Sequence, residues 1–312
     1  MKSKRKWILF AITLLILGIL ILKIKPARAA EIVVKANLGY LFAATFLSLL
    51  FPVLCAARWD TILRQLGTPL GLWESYKIIM AAWPLASITP AKSGDLIKIV
   101  YLKNILPYSK TTGVILAERM TDVVVLCLYA IAFGTIYRFK TAVWVAGGIL
   151  VGVIFFFALA ASPLAQHAPE PWRTLALNLL EATKKMCRGG RSFLWILAIT
   201  ASNWFLSFFQ VWLCYRAFNT EVPLTYVFAA LPMAIFTGLL PVTLSGMGTR
   251  DSAVIYLFQN YAAYEVNLAI GILYAIFGYW LLALLGVPFM RAAFRGAIGG
   301  VEAEELHRQV YR

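Results

Sequence analysis

The chain has 312 residues, of which 61% are hydrophobic and only 14% are charged. A soluble domain has about 25% charged and about 45–50% apolar residues, so this composition excludes an ordinary soluble enzyme, a disordered chain and a fibrous repeat. The net charge of +15 would suggest nucleic acid as the partner of a soluble protein, but basic loops that face anionic headgroups explain it in a membrane protein. The composition therefore predicts an all-α, polytopic transmembrane helix bundle with no nucleic-acid partner.

The apolar stretches predict about six full spans, because a helix needs about 20 apolar residues to cross a membrane. In chain order, the predicted spans are 7–24, 38–57, 111–137, 141–163, 192–216 and 264–290. The Ala-Arg-Ala at 27–29 mimics a signal-peptidase site, but lysines interrupt the stretch before it, so we expect the first span to be retained. The whole chain, 1–312, is interpreted as one integral membrane domain.

Two further apolar stretches, 75–98 and 222–260, contain prolines followed by a glycine and an aspartate. Proline interrupts a helix, and interrupted backbone within a membrane survives only where protein or a watery cavity covers it. Each stretch is therefore predicted to form a re-entrant helical hairpin whose two parts meet at a Gly/Asp turn. Three spans, an odd number, separate the hairpins, which predicts an inverted repeat with half-repeats at about 38–163 and 192–296.

The basic residues are unevenly distributed between the loops. If both termini are cytoplasmic, the inside segments hold 20 Lys and Arg residues and the outside segments hold 8. This bias follows the positive-inside rule and predicts cytoplasmic N- and C-termini, in what we expect to be a bacterial plasma membrane. The segment 164–191 is interpreted either as an interfacial amphipathic helix or as a basic cytoplasmic loop.

Glu118, Arg119 and Asp122 lie inside the predicted span 111–137. Each charge at the centre of a bilayer costs about 2.5–3.5 kcal/mol. Glu118 and Asp122 share one helix face, and Arg119 can reach Asp122 at i,i+3. The trio has an excess of one negative charge and therefore needs another cation. The candidate partners are Lys92, Lys98 and Arg250. The trio either pins a hairpin to the helix or forms a polar site that contacts a charged substrate.

The two Gly/Asp turns combine hydroxyl groups, backbone N–H groups at a helix start and nearby cations, which are the components of a phosphate site. The first turn comprises Lys92, Ser93, Gly94, Asp95 and Lys98. The second turn comprises Ser245, Gly246, Gly248, Arg250 and Asp251. Helix capping, with Ser93 or Thr249 as the N-cap, accounts for the same residues without excluding a site. We expect the two turns to form one anionic-lipid site, with Arg250 in a turn and therefore dispensable for folding.

A family resemblance rests on residues that occur in motif order along nearly the whole chain. These residues are Pro90, Gly94, Asp95, Lys98, Glu118, Arg119, Asp122, Gly246, Gly248, Arg250 and Asp251. They resemble the lysylphosphatidylglycerol synthase transmembrane-domain family, which includes the flippase half of bacterial multiple-peptide-resistance factors. The chain departs from that family where Asp95 and Asp251 replace Glu and Lys98 replaces Arg. The resemblance implies that a lipid is moved or handled, and it implies no lipid aminoacylation, because no aminoacyltransferase domain is expected.

Three functions remain open. The leading one is a flippase-like translocator that moves a phosphate-bearing lipid, either an anionic phospholipid or a polyprenyl-phosphate-linked lipid, between leaflets. The second is an integral-membrane transferase that acts on a lipid phosphate, with Asp95 or Glu118 as the base. The third is an ion-coupled solute transporter with a closed central cavity. The sequence has no nucleotide or metal-binding motif, so no cofactor and no metal are expected. No catalytic residue is assigned, and a homo-oligomer is left open.

Overall fold

The computed structural model describes residues 34–240 and 242–299, and every regular element within these ranges is helical. The helices are α1 (Leu38–Gln65), α2 (Leu72–Ser87), α3 (Lys98–Tyr101), α4 (Tyr108–Ile136), α5 (Lys140–Ala161), α6 (Glu170–Arg188), α7 (Gly190–Ala217), α8 (Leu224–Leu239), α9 (Thr249–Phe258), α10 (Tyr264–Ala275) and α11 (Leu281–Gly299). Short 3₁₀ segments lie at Pro90–Ile97, Pro163–His167 and Leu244–Gly246, and a π-helical turn lies at Ile276–Trp280. The all-α prediction is confirmed. The predicted first span, 7–24, lies outside the described residues.

Four helical segments of the described chain are long and apolar enough to cross a membrane. These segments are Leu38–Gln65, Lys140–Ala161, Gly190–Ala217 and Tyr264–Arg291. Each matches one of the predicted spans, and the last is built from α10, the π turn and the start of α11. The predicted span 111–137 forms α4, which has 29 residues but is not one of these four. The membrane-protein class is thus confirmed, and the number of spans stays a prediction.

The two proline-containing stretches each fold as a helix, a break and a second helix, but Pro84 and Pro232 do not cause the breaks. Pro84 lies inside α2 and Pro232 lies inside α8. The helices end later, at Ser87 and Leu239. The expectation that these prolines interrupt the helices is therefore wrong.

Close packing explains how α2 continues past its proline. Pro84 has no N–H to donate to the Met80 carbonyl one turn earlier. A Cβ atom on Gly286 of α11 would lie only 2.3 Å from the Met80 carbonyl oxygen and 2.9 Å from Pro84 Cδ. The missing side chain of Gly286 therefore lets α11 pack directly on the irregular turn, and this packing supports the helix where the hydrogen bond is lost.

The two breaks touch each other, which brings distant parts of the sequence together. The hydroxyl of Ser245, in the second break, donates to the carbonyls of Ala86 and Ser87 at the end of α2. Gly246 has a φ of +73°, and a Cβ atom there would lie 2.7 Å from Gly238 Cα of α8. Glycine is needed at this position both for the backbone conformation and for the close approach.

The π-helical turn Ile276–Trp280 connects α10 to α11 and holds the end of α2. The Trp83 indole N–H donates to the Gly278 carbonyl at 3.2 Å. The Ser87 hydroxyl approaches the Tyr279 carbonyl at 3.3 Å. A π turn shifts the direction of backbone carbonyls within a helix and is frequent at functional sites. Here its carbonyls are the acceptors that position α2.

The segment predicted as an interfacial helix or a loop forms the helix α6, so the loop alternative is wrong. Its apolar face, with Leu179, Ala182 and Met186, is buried against the core. A Cβ atom on Gly113 of α4 would lie 2.6 Å from the Asn178 carbonyl carbon, so the two helices cross in close contact. The apolar face of α6 is thus covered by protein rather than left for lipid.

Candidate functional site

Three helical segments supply a buried cluster of charged side chains. Arg58 of α1 pairs with both carboxylates of α4, because its Nη2 lies 2.8 Å from Glu118 Oε1 and its Nη1 lies 2.7 Å from Asp122 Oδ1. Lys98 Nζ of α3 lies 3.0 Å from Glu118 Oε2. The Glu118 side chain is fully buried, and those of Arg58 and Lys98 are each 2% exposed. Both oxygens of Glu118 are therefore held by cations from two different helices.

Arg119 is the accessible cation of this cluster. Its Nη1 lies 3.1 Å from Asp122 Oδ2, as the i,i+3 spacing predicts. The same Nη1 lies 3.7 Å from Asp95 Oδ2 in the first break, and Nη2 lies 3.4 Å from Glu118 Oε1. The Arg119 side chain is 30% exposed, far more than those of Arg58 and Lys98. Arg119 is therefore the cation best placed to exchange a carboxylate partner for a ligand.

The cluster as a whole carries no net charge. Its members are Arg58, Lys98 and Arg119 as cations and Asp95, Glu118 and Asp122 as carboxylates. The additional cations that the sequence required are Lys98, which was among the predicted partners, and Arg58, which was not. Arg250 does not pair with the cluster, so that expectation is wrong. Because a buried ion pair that loses one partner costs about 3–5 kcal/mol, this balance is a condition for burying the cluster.

Arg58 was missed because the predicted second span ended just before it and left it in a loop. In the structure α1 continues past Arg58, and Trp59, Ile62 and Leu63 are fully buried. These apolar residues follow Arg58 at helical spacing and were the signal that the helix continues. Trp59 also contacts the site, since Lys98 Nζ lies 4.4 Å from the centroid of its ring, a favourable cation–π distance.

The cluster forms one wall of a cavity with a volume of about 90 Å³, enough for several water molecules. The charged lining residues are Arg58, Asp95, Lys98, Glu118, Arg119 and Asp122. The other polar lining residues are Ser87, Asn203, Ser207 and Gln210, and the polar-tipped aromatic ones are Trp83, Trp204, Tyr274 and Tyr279. The cavity thus joins α1, α2, α4, α7 and the segment around the π turn.

Arg250 is buried in α9 and is not in a turn as predicted. Its side chain is 2% exposed, and its Nη2 lies 2.7 Å from Asp251 Oδ1. The guanidinium carbon lies 4.5 Å from the ring centroid of Tyr274 and 5.5 Å from that of Tyr279. Both rings line the cavity and Arg250 does not. Arg250 therefore supports the aromatic wall, and its place in a packed helix removes the reason for expecting it to be dispensable for folding.

The cap of α9 also differs from the prediction. Thr249 is the first residue of the helix, and Gly248 is the N-cap with a φ of 93°. Asp251 Oδ2 accepts a hydrogen bond from the Gly248 N–H at 3.0 Å, which satisfies one donor at the helix start. In the first break, the Gly94 N–H donates to Thr89 Oγ1 at 2.6 Å. Capping by Thr249 is thus wrong, whereas Asp251 does lie in the first turn.

The predicted site residues fall into two groups. Those that line the cavity are Asp95, Lys98, Glu118, Arg119 and Asp122. Those outside the cavity lining are Ser93, Gly94, Ser245, Gly246 and Gly248 at the two touching breaks, and Arg250 and Asp251 in the first turn of α9. The side chain of Lys92 lies outside the described part of the structure. Substrate binding by either group stays a prediction.

Comparison with known proteins identifies the family. Three relatives are UPF0104 membrane proteins of archaea. The one from Methanothermobacter thermautotrophicus is 21% identical over 90% of this chain and 93% of its own length. The one from Methanocaldococcus jannaschii is 21% identical over 91% and 94%, and the one from Archaeoglobus fulgidus is 23% identical over 76% and 81%. These archaeal relatives support an integral membrane location, while the bacterial plasma membrane and the orientation stay predictions. The family described as the lysylphosphatidylglycerol synthase TM region matches residues 7–286, and the chain therefore belongs to that family.

Proposed function

We propose that this protein translocates a phosphate-bearing lipid, or a lipid-linked intermediate, between the leaflets of the membrane. The headgroup would pass through the polar cavity while the acyl or prenyl chains stay among the exposed apolar helices. The observation that carries this proposal is the six-charge cluster in a cavity that is lined in part by helical segments long and apolar enough to cross a membrane. Intramembrane charges are expensive, and they commonly mark substrate or ion pathways.

The exposure of Arg119 supports a phosphate position next to its guanidinium. Arg119 is 30% exposed and shares its guanidinium among three carboxylates, of which Asp95 is the most distant at 3.7 Å. A phosphate could displace Asp95 with little loss, because a guanidinium binds phosphate through two parallel hydrogen bonds. Arg58 and Lys98 would remain paired with Glu118.

The same geometry disfavours the transferase alternative. A general base must be free to accept a proton from the substrate. Glu118 accepts from Arg58 at one oxygen and from Lys98 at the other, so the proposed base is fully occupied. Asp95 is the better remaining candidate for the base, because its contact in the cluster is only the long pair with Arg119.

We further propose that the two broken hairpins are related as an inverted repeat. This is supported by their shared order of a 16-residue helix, a break and a second helix. It is also supported by the direct contact of the two breaks through Ser245. Repeats of this kind surround the substrate site of many transporters and rock against each other around it.

The test is reconstitution into liposomes that contain fluorescent phosphatidylglycerol or a fluorescent polyprenyl phosphate. An impermeant reductant bleaches the outer leaflet, and active protein makes the inner leaflet accessible as well. We expect Arg119→Gln to weaken headgroup binding by about 1.5–3 kcal/mol, or roughly 10- to 100-fold, through loss of a charge-assisted hydrogen bond. Arg173→Gln, at an exposed position of α6, is the matched control. If the wild type bleaches no more lipid than empty liposomes for every probe, the proposal fails.

A further inference from the structure

Helix α7 carries a stripe of polar residues that is unusual for a helix of its hydropathy. Asn203, Ser207 and Gln210 recur at i, i+4 and i+7, and all three line the cavity. Residues at this spacing lie on one face of a helix. Polar side chains in membrane-spanning helices face the protein interior and usually find hydrogen-bond partners there. The stripe therefore forms the α7 side of the cavity. Helix α7 contributes no charged side chain to the cavity lining.

The hydrogen bonds of this stripe are only partly used within the described chain. Gln210 Nε2 donates to the Ala44 carbonyl at 2.6 Å and to Ser48 Oγ at 2.8 Å, which leaves its Oε1 as an acceptor. Ser207 is only 8% exposed, yet none of the described residues pairs with its hydroxyl. Asn203 has one contact, in which its Oδ1 accepts from Cys55 Sγ at 4.0 Å. The stripe thus offers the cavity both donors and acceptors.

Aromatic rings with fixed orientations stand beside the stripe. The Trp204 indole N–H donates to Asp122 Oδ1 at 3.1 Å, and the Trp83 indole N–H donates to the Gly278 carbonyl at 3.2 Å. Tyr274 and Tyr279 are held against Arg250. Because the N–H groups of both indoles are already engaged, the part of each Trp that a ligand can contact is the ring. An aromatic face is electron-rich and attracts polarised C–H groups as well as cations.

We propose that this wall binds an uncharged, hydroxyl-rich part of the headgroup, a sugar or another polyol, next to the phosphate held by Arg119. The proposal rests on the proposed function, because it places this group in the same cavity. A hydroxyl group both donates and accepts hydrogen bonds, and this matches the mixed donors and acceptors of Asn203, Ser207 and Gln210. The carbon skeleton of such a ring packs on aromatic faces.

An amine headgroup fits the same wall less well. An ammonium group has three donors and no acceptor. It therefore cannot accept a hydrogen bond from the Asn203 amide N–H or the Ser207 hydroxyl, whereas a polyol can. The three carboxylates that line the cavity all lie within 3.7 Å of Arg119, on the phosphate side. The stripe itself is made of uncharged residues, so it offers an ammonium group no carboxylate to pair with.

The experiment compares three lipids that share the same acyl chains and differ only in the headgroup. Phosphatidic acid, phosphatidylethanolamine and phosphatidylinositol compete for the detergent-purified full chain, and binding is read by native mass spectrometry. We expect phosphatidylinositol to bind at least about fivefold more tightly than the other two, as one or two additional hydrogen bonds would give. Ser207→Ala and Asn203→Ala should each reduce this preference. Trp195→Phe, at an exposed position of the same helix, should keep it.

Each outcome decides one of the two proposals. Equal binding of all three lipids, or a preference for phosphatidylethanolamine, overturns the polyol assignment. The same holds if Ser207→Ala, eluting as a monodisperse protein, retains the full preference. Translocation is measured separately in liposomes with the same preparation. Selective binding without translocation contradicts the proposed function alone, and translocation of all three lipids at equal rates contradicts the polyol assignment alone.

Discussion

Removal of Arg58 is the strongest test of the charged cluster. Arg58 pairs with Glu118 at 2.8 Å and with Asp122 at 2.7 Å, and its side chain is 2% exposed. Arg58→Ala leaves three carboxylates with two cations inside the protein. It also removes the hydrogen bond from Arg58 Nη1 to Thr200 Oγ1. We therefore expect a large loss of stability.

The expected magnitude follows from breaking a buried pair. Loss of one partner costs about 3–5 kcal/mol, and at about 2–4 °C per kcal/mol for a domain of this size the melting temperature should fall by roughly 10 °C. Arg173→Ala removes an exposed pair with Glu170 at 3.6 Å and should cost less than about 1 kcal/mol. We therefore expect Arg58→Ala to lower the free energy of unfolding severalfold more than Arg173→Ala.

The assay is thermal unfolding of the purified protein, followed by intrinsic tryptophan fluorescence and by the loss of the monodisperse peak. A second variant separates charge balance from packing. Adding Asp122→Asn to Arg58→Ala restores equal numbers of positive and negative charges and should recover part of the lost stability. If Arg58→Ala melts within about 2 °C of Arg173→Ala, a difference worth less than about 1 kcal/mol, the cluster is solvated and its proposed balance is irrelevant.

Substitutions at two glycines, at Arg250 and at two helix positions test other parts of the structure. Gly246→Ala should lower the melting temperature, because Gly246 has a φ of +73° and packs on Gly238, whereas Gly147→Ala, with open space around it, should leave it unchanged or raise it; equal melting temperatures would contradict the packing of the breaks. Arg250→Gln should destabilise the protein, because it leaves Asp251 buried without its cation; a wild-type melting temperature would show that pair to be unimportant. In a cysteine-free background, a cysteine at Thr141 should react with an impermeant thiol reagent on intact cells and one at Lys184 should not; the reverse pattern would invert the predicted orientation.

Much of the fold could be predicted from composition and apolar run length. The four predicted spans at 38–57, 141–163, 192–216 and 264–290 correspond to the four apolar segments of the structure, because length and hydropathy alone determine whether a helix can cross a bilayer. The positions of the two breaks were also predictable from the Gly/Asp turns. The continuation of α2 past Pro84 was not predictable, because it involves the close packing of Gly286 of α11 on the irregular turn.

The site could be predicted in part. The i,i+3 pair of Arg119 with Asp122 and the partnership of Lys98 with Glu118 follow from local spacing and from charge balance. Arg58 could not be placed by hydropathy alone, because a charge directly after an apolar run resembles the end of a span, although apolar residues at helical spacing follow it. The α7 stripe was missed because its three polar residues are spread through an apolar run.

Long-range contacts explain why the burial of Arg250 near the second break was not predicted from the sequence. Arg250 looks exposed in the sequence, since glycines surround it. In the structure, Tyr274 and Tyr279 from a distant helical segment cover its guanidinium. No local pattern indicates which aromatic residues will reach a given arginine, so its burial and its role in supporting the cavity wall require the tertiary structure.

The most direct measurement is an experimental map of the protein with a short-chain phosphatidylinositol bound. We expect headgroup density inside the cavity, with a phosphate oxygen within about 3 Å of the Arg119 guanidinium, as a charge-assisted hydrogen bond requires, and the inositol ring against Asn203 and Ser207. We also expect Arg58 and Lys98 to keep their contacts with Glu118. Density for the headgroup only on the outer surface of the bundle, with Arg119 still paired to Asp95 and the cavity holding water alone, would contradict this expectation.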